Sequence, residues 1–293
     1  MNIRWISVLL VALAFTPCYG EQFRVNGRIF TVPDGFTVEL AVEPSLLKYP
    51  IFADFDEQGR LYVSEASGIL DWRKTQPAEK SENWHRMLRL EDTDGDGRFD
   101  RSSVFATFKR PPQGSQWLDG SLYVASPPFI WKLTDTDGDG VADVREKWVE
   151  QDDIQGCLND LHGPYLGPDG WLYWTKGAGA TQTYTYQGKL WSSDARHIYR
   201  RQPDHADVEQ VMVGGMDNPV EVAFSQGGDR FLTNTNIQHV GEPRKDGILH
   251  AVYGGVYPKD ILPVYQFPWT GPDMLTELAG WTALAPAGLM CYQ

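Results

Sequence analysis

Two nearly identical acidic loops, Asp92-Thr93-Asp94-Gly95-Asp96-Gly97 and Asp135-Thr136-Asp137-Gly138-Asp139-Gly140, stand 43 residues apart in this chain. A loop that returns almost intact constrains the fold strongly, because it implies a repeated structural unit. A second motif recurs with it. Gly59-Arg60-Leu61-Tyr62-Val63 matches Gly120-Ser121-Leu122-Tyr123-Val124 and Gly170-Trp171-Leu172-Tyr173-Trp174, and Asp229-Arg230-Phe231-Leu232-Thr233 is a weaker fourth copy. With Leu61, Leu122, Leu172 and Phe231 taken as equivalent, the intervals are 61, 50 and 59 residues. Each copy follows an Asp/Gly-rich turn, so each reads as a strand that begins after a hairpin.

A further strand leads into each acidic loop, Met87–Leu90 into the first and Ile130–Leu133 into the second. Arg196–Arg200 is the third counterpart, and the loop after it, Gln202–Asp207, has lost most of its carboxylates. Another strand follows each loop. The unit is therefore strand, hairpin, strand, acidic loop, strand, which is the size of a four-stranded propeller blade. A β-sandwich would supply many short strands but not this self-similarity. The expected fold is all-β, a β-propeller of four-stranded blades. Six blades close such a ring comfortably, and the chain holds four to five. It stops in the apolar stretch Met290-Cys291-Tyr292-Gln293, so the propeller is expected to be incomplete, truncated at the C-terminus.

The first 20 residues read as an export signal, with Arg4 before a short apolar run from Trp5 to Phe15. That run is too short for a comfortable transmembrane helix. The expected organisation is a signal peptide over 1–20 and a propeller domain over 21–293, exported to the periplasm or the extracellular space. Acidic residues outnumber basic ones by 39 to 26, which argues against nucleic acid as a partner. Cys157 and Cys291, far apart beyond the leader, make no disulfide framework. There is no Cys-x-x-Cys-His, so no haem attaches to this chain.

Alternating carboxylates with glycines at the bends suit a hard cation such as calcium. The second loop matches the spacing of an EF-hand loop through Asp135, Asp137, Asp139, the carbonyl of Val141, Asp143 and Glu146. The first loop matches through Asp92, Asp94, Asp96 and Asp100, but Ser103 stands where a bidentate acid is needed. The second loop is expected to bind more tightly. The alternative is a metal-free Asp/Gly hairpin held by side-chain-to-backbone bonds.

The segment Asn159–Gly177 is the densest in groups that carry chemistry. His162 stands just before an inner strand, where it could face the central channel as a general base. A turn histidine bonded to a backbone carbonyl is the other reading. Glu65, Glu221, Asn234, Asn236, His239, Arg244 and His250 are further polar groups for the channel, or for turn backbones. Trp72, Trp84, Trp117, Trp171 and Trp174 could stack on sugars or fill blade cores.

A histidine followed by Gly167-Pro168-Asp169-Gly170-x-Leu172-Tyr173-x-Thr175-x-Gly177 is similar to the glucose/sorbosone dehydrogenase family, six-bladed quinoprotein propellers. The chain from about 33 to 293 resembles the PVC-type membrane-bound dehydrogenase family more closely still. That resemblance rests on the paired acidic loops, Leu172-Tyr173, Asn218-Pro219, the segment Arg244–Gly255 and Ala285–Leu289. It implies oxidation of a small sugar or alcohol with pyrroloquinoline quinone. His162 would be the base, and Asn218, Arg244 and His250 would contact the cofactor. Electrons would leave to a cytochrome c domain or protein, with peripheral association at a membrane. Two positions depart from the dehydrogenase pattern. Ala178 replaces the acid that orients the histidine, and Asp217 replaces the arginine before Asn-Pro. A noncatalytic, calcium-stabilised propeller that binds carbohydrate or protein is the alternative. A lactonase-like hydrolase, drawing on Glu65 and Asn218 as metal ligands, is a third.

Overall fold

The computed structural model describes residues 20–66, 85–150, 161–178, 181–236, 245–258, 262–269 and 271–292. The leader and Arg244, His239, Trp72, Trp84 and Cys157 lie outside these residues. A short hairpin, β1 (Glu21–Val25) and β2 (Arg28–Val32), comes first. Four antiparallel sheets follow as the four blades of a β-propeller. Blade 1 is β3 (Pro50–Phe55), β4 (Leu61–Glu65), β5 (His85–Glu91) and β6 (Arg101–Phe108). Blade 2 is β7 (Ser115–Leu118), β8 (Ser121–Ser126), β9 (Phe129–Thr134) and β10 (Val144–Glu150).

Blade 3 begins with β11 (Leu161–Leu166) and β12 (Leu172–Lys176). A separate hairpin, β13 (Gln182–Tyr186) and β14 (Lys189–Ser193), interrupts it before β15 (Arg196–Arg201) and β16 (Glu209–Gly215) complete it. Blade 4 has β17 (Asn218–Phe224), β18 (Arg230–Thr235) and β19 (Asp246–His250). The chain then returns to blade 3, where β20 (Gly255–Pro258) adds a fifth strand parallel to β16. After a 3₁₀ turn at Leu262–Gln266, β21 (Ala279–Trp281) closes blade 4. Among the described residues no helix is long and apolar enough to cross a membrane.

The first strands of neighbouring blades touch one another, β3 with β7, β7 with β11 and β11 with β17, so these are the inner strands. The second strands, β4, β8 and β12, are buried along their whole length. Their continuous runs of apolar and aromatic residues reflect burial on both faces. Between blades 1 and 2 the core is Tyr62, Met87, Phe105, Leu122 and Leu133. Between blades 2 and 3 it is aromatic, with Tyr123, Trp148, Trp174 and Tyr199. Trp174 is therefore core, and Trp117 stacks on Tyr62 at 5.1 Å.

The hairpin bonds set the repeat register. Asp56 N donates to Arg60 O, Gly167 N to Trp171 O and Ser225 N to Asp229 O. These closures make Arg230, not Phe231, the counterpart of Leu172, so the fourth copy is shifted by one residue from the sequence alignment. In this register Ser64, Thr175 and Thr233 are equivalent, and their hydroxyls do equivalent work at the inner strands. Ser64 Oγ accepts from Phe52 N at 2.9 Å, and Thr233 Oγ1 accepts from Glu221 N at 3.0 Å. In blade 3 the same position falls at Gly163. Thr175 also donates to Val220 O of the next inner strand, and Thr233 repeats this toward Ala287 O. The segment around Ala287 thus lies against blade 4 as β17 lies against blade 3.

Candidate functional site

His162 is the second residue of inner strand β11, paired with Thr175. Only 6% of its surface is exposed. Its Nε2 lies 3.1 Å from Oδ1 of Asn218, the first residue of inner strand β17. An amide oxygen can only accept, so this bond puts a proton on Nε2 and the lone pair of neutral imidazole on Nδ1. Two further contacts hold the junction. Ala178 N donates to Asp217 O, and Tyr165 Oη donates to Val220 O at 2.9 Å. On the other side, a Cβ at Gly114 would lie 2.8 Å from the Gly163 backbone, so glycine is required where blade 2 meets the strand that carries His162. His162 therefore stands where the inner strands of blades 2, 3 and 4 converge.

The departures from the dehydrogenase pattern become neighbours in space. Ala178 and Asp217 share a backbone hydrogen bond, and the side chain that holds the imidazole is the adjacent Asn218. On the same strand Glu221 is partly buried, and burial raises its pKa to about 7, against a smaller lowering by the Leu289 N–H. Tyr165, pushed well above its usual value by burial, also feels the Glu221 charge. An acid with a pKa near 7 at an inner strand is a group suited to proton transfer. Its neighbourhood with residues 287–289, far along the chain, is what sequence spacing could not show.

The remaining polar groups separate. Glu65 is fully buried and holds the Arg86 guanidinium and the Lys48 N–H, so its oxygens serve blade 1. Among the described residues, Glu65 belongs to no group of His, Cys, Asp and Glu side chains placed to hold a metal ion. Asn234 is buried on β18 opposite Pro219, and Asn236 donates to Lys245 O. His250 pairs with Phe231, whereas Asn218 pairs with Thr235. Four residues of strand, about 13 Å, lie between those positions. There His250 Nε2 is 3.2 Å from Asp229 Oδ1.

At the end of the blades opposite His162, the acidic loops fold alike. Asp92 accepts from Gly95 N and Gly97 N, and Asp135 accepts from Gly138 N and Gly140 N. Asp100 and Asp143 each hold the preceding threonine, Thr93 or Thr136, by N–H and hydroxyl. These bonds hold the Asp92 and Asp143 carboxyls below their usual range. Asp92, Asp94 and Asp96 bring carboxylate oxygens within 4.8 Å of one another, and so do Asp135, Asp137 and Asp143. An all-oxygen donor set of this kind fits calcium. Asp139 and Glu146 are not in the second group. Glu146 sits on β10 opposite Lys132, because the chain leaves the loop as a strand and not as the helix that folds position 12 back.

A planar quinone tricarboxylate needs hydrogen-bond donors and cations. The Asn218 amide and the His162 imidazole suit a quinone carbonyl and a substrate hydroxyl. Cations are the weaker half of the match. Arg86 is paired with Glu65, and Lys176 donates to the carbonyls of Asp194 and Ala195.

Comparison with solved structures agrees with the architecture. A putative oxidoreductase (glucose dehydrogenase) from Thermus thermophilus is 18% identical with a TM-score of 0.53, over 84% of this chain and 73% of that one. The aldose sugar dehydrogenase of Streptomyces coelicolor, solved in a PQQ-bound form, is 15% identical with a TM-score of 0.55, over 84% of this chain and 72% of its own. Against the pyranose dehydrogenase PQQ domain of Coprinopsis cinerea, 11% identical with a TM-score of 0.46, 71% of this chain spans 51% of that one. The first two, with TM-scores above 0.5, show that the chain shares their fold. No curated protein matches it significantly. Residues 26–256 match the profile of a domain of unknown function, DUF7133. The chain belongs to that family.

Proposed function

We propose that this chain is an exported propeller that oxidises a hydroxyl of a small sugar or alcohol, as its resemblance to PVC-type membrane-bound dehydrogenases implies. The observation that carries this reading is the His162–Asn218 pair at the convergence of three inner strands. Asn218 holds the imidazole, and His162 takes the hydroxyl proton. This uses an amide where the related pattern uses a carboxylate. The amide orients the ring but does not stabilise the imidazolium, so proton transfer is expected to be weaker than with an acid. Glu221 offers a second proton site near pH 7. Pyrroloquinoline quinone, when bound, supplies the hydride acceptor, with Asn218 and Arg244 as its protein contacts. Calcium at the acidic loops stiffens the hairpins, and the electrons pass to a cytochrome at a membrane surface.

The test is to load the purified protein with pyrroloquinoline quinone and calcium and follow dye reduction over a panel of sugars and alcohols. Turnover on at least one substrate is the expected result. Failure of the quinone to bind overturns the reading. A specific observation favours a second reading in that event, a calcium-stabilised module that binds carbohydrate or protein without chemistry. Asp217 stands where the dehydrogenase pattern has an arginine, and Lys176 and Arg86 are engaged elsewhere.

A further inference from the structure

A cavity of about 310 Å³ opens between the outer strands of blades 1 and 2. Phe108, Phe129 and Trp131 form its aromatic wall, and Lys109, Arg110 and Arg145 bring three cations to it. Among the described residues no acidic one lines it, although acidic residues outnumber basic ones by 39 to 26 in the chain. The cavity runs against the charge of the molecule that contains it.

Arg145 is the central group. Its guanidinium carbon lies 4.5 Å from the centre of the Phe108 ring and 4.3 Å from that of Trp131. One amino group donates to Thr107 O at 2.8 Å. Among the described residues Arg145 has no carboxylate partner. Desolvation lowers its pKa from the ordinary arginine value, a cost that an anion would offset. Stacking keeps the guanidinium flat with its N–H edge available, the geometry that takes a carboxylate in bidentate fashion. The next basic residue along β10, Lys147, is already committed. It lies over Phe129 at 4.1 Å and pairs with Glu150 at 3.2 Å. Arg110, in contrast, forms no ion pair among the described residues.

The volume is at the lower end for small-molecule sites, enough for one ring and its substituents. Aromatic walls hold the flat face of such a ring, whether a sugar or an arene. We propose that this cavity binds a small carboxylate carried on a six-membered ring, with the ring against the aromatic wall and the carboxylate on Arg145 and Arg110. His162 does not line the cavity, and the proposal does not depend on the dehydrogenase reading.

Calorimetric titration of the full chain with galacturonate and with benzoate tests it, with galactose and benzyl alcohol as neutral counterparts. At least one acid is expected to bind about tenfold or more tightly than its neutral counterpart, the gain of a charge-assisted hydrogen bond. Which acid binds distinguishes a sugar acid from an aromatic one. Arg145→Gln is expected to abolish that preference. Arg110→Gln, which leaves the Phe108–Arg145–Trp131 stack in place, is expected to weaken the acid severalfold. The proposal is overturned if neither acid binds, if each acid binds no better than its neutral counterpart, or if Arg110→Gln and a folded Arg145→Gln both retain full affinity.

Discussion

Blade 3 carries two buried histidines, and the contrast between them separates structure from function. His197 lies within the blade and is fully buried. Its Nε2 is 2.7 Å from Ser193 Oγ, and its Nδ1 is 3.1 Å from Met212 O. A carbonyl only accepts, so Nδ1 carries the proton and Nε2 takes the serine hydroxyl. Desolvation, helped by the Lys176 charge, lowers its pKa to about 3. That histidine is a neutral core residue. His162 sits at the inner edge, and its bond runs to the next blade. The histidine that joins blades lies at their junction, while the other is closed off inside one blade.

The largest effect should come from the closed histidine. His197→Ala strands the Ser193 hydroxyl and the Met212 carbonyl and leaves a cavity beside Tyr199 and Phe267. The expected loss is about 3–5 kcal/mol of stability, read by denaturant melts, and a loss below about 1 kcal/mol would erase the contrast. The same residue predicts a pH dependence. Its folded pKa lies below its unfolded value, so the unfolded chain binds the extra proton between pH 6.5 and about 3. Stability contributed by His197 is complete above pH 6.5 and falls by about 1.4 kcal/mol per pH unit below it.

A smaller change tests the junction itself. Asn218→Ala should cost about 1 kcal/mol of stability and lower turnover about tenfold. It should do so mainly through kcat, because the imidazole loses its fixed tautomer. A loss confined to KM would instead make Asn218 a substrate-binding group. Glu221 sharpens the picture from the acidic side. Its folded pKa of about 7 lies above the ordinary value of 4.5. The carboxyl is therefore stabilising while protonated, and that stability is lost as pH rises from 4.5 through 7. Glu221→Gln should gain about 1 kcal/mol at pH 8, after allowance for solvent screening. No gain in melts at that pH would place the group in contact with water.

The smallest expected effect concerns the acidic loops, where a docked copy again differs from an open one. Gly140 of the second loop packs on the Arg89 guanidinium, which lies 3.6 Å from Asp135 Oδ2. Gly97 of the first loop has open space. A fixed cation competes with calcium for Asp135, and Glu146 is turned away, so the order of affinity should be the reverse of the one that spacing suggests. Asp94→Asn should then reduce the calcium-induced rise in Tm more than Asp137→Asn, by a degree or two, which is about 0.5 kcal/mol for a domain of this size. The opposite order would restore the second loop as the principal site.

These contrasts also show what was legible in the sequence. Leu-Tyr-Val after an Asp/Gly turn marks a second strand because both its faces are buried, and its four copies imply roughly four to five blades. The fourth copy slipped by one residue because hydrophobic Phe231 is a better match to Leu172 than Arg230 is, while the hairpin bonds decide the register. The parallel pairing of β20 with β16 carries no local signal, since it joins segments about 40 residues apart. His162, expected just before an inner strand, lies within one. The Asn218 contact, and the gathering of Phe108, Trp131 and Arg145, depend on how blades meet. The Glu146 expectation carried a helix-flanked geometry into a loop flanked by strands.

The most direct measurement is the rate of dye reduction by His162→Gln, loaded with pyrroloquinoline quinone and calcium, beside wild type. A melting curve for each protein should confirm that both are folded. The predicted result is a loss of about 100-fold or more in kcat with Tm within a few degrees of wild type. An unchanged rate in a folded variant would contradict the assignment of His162 as the base.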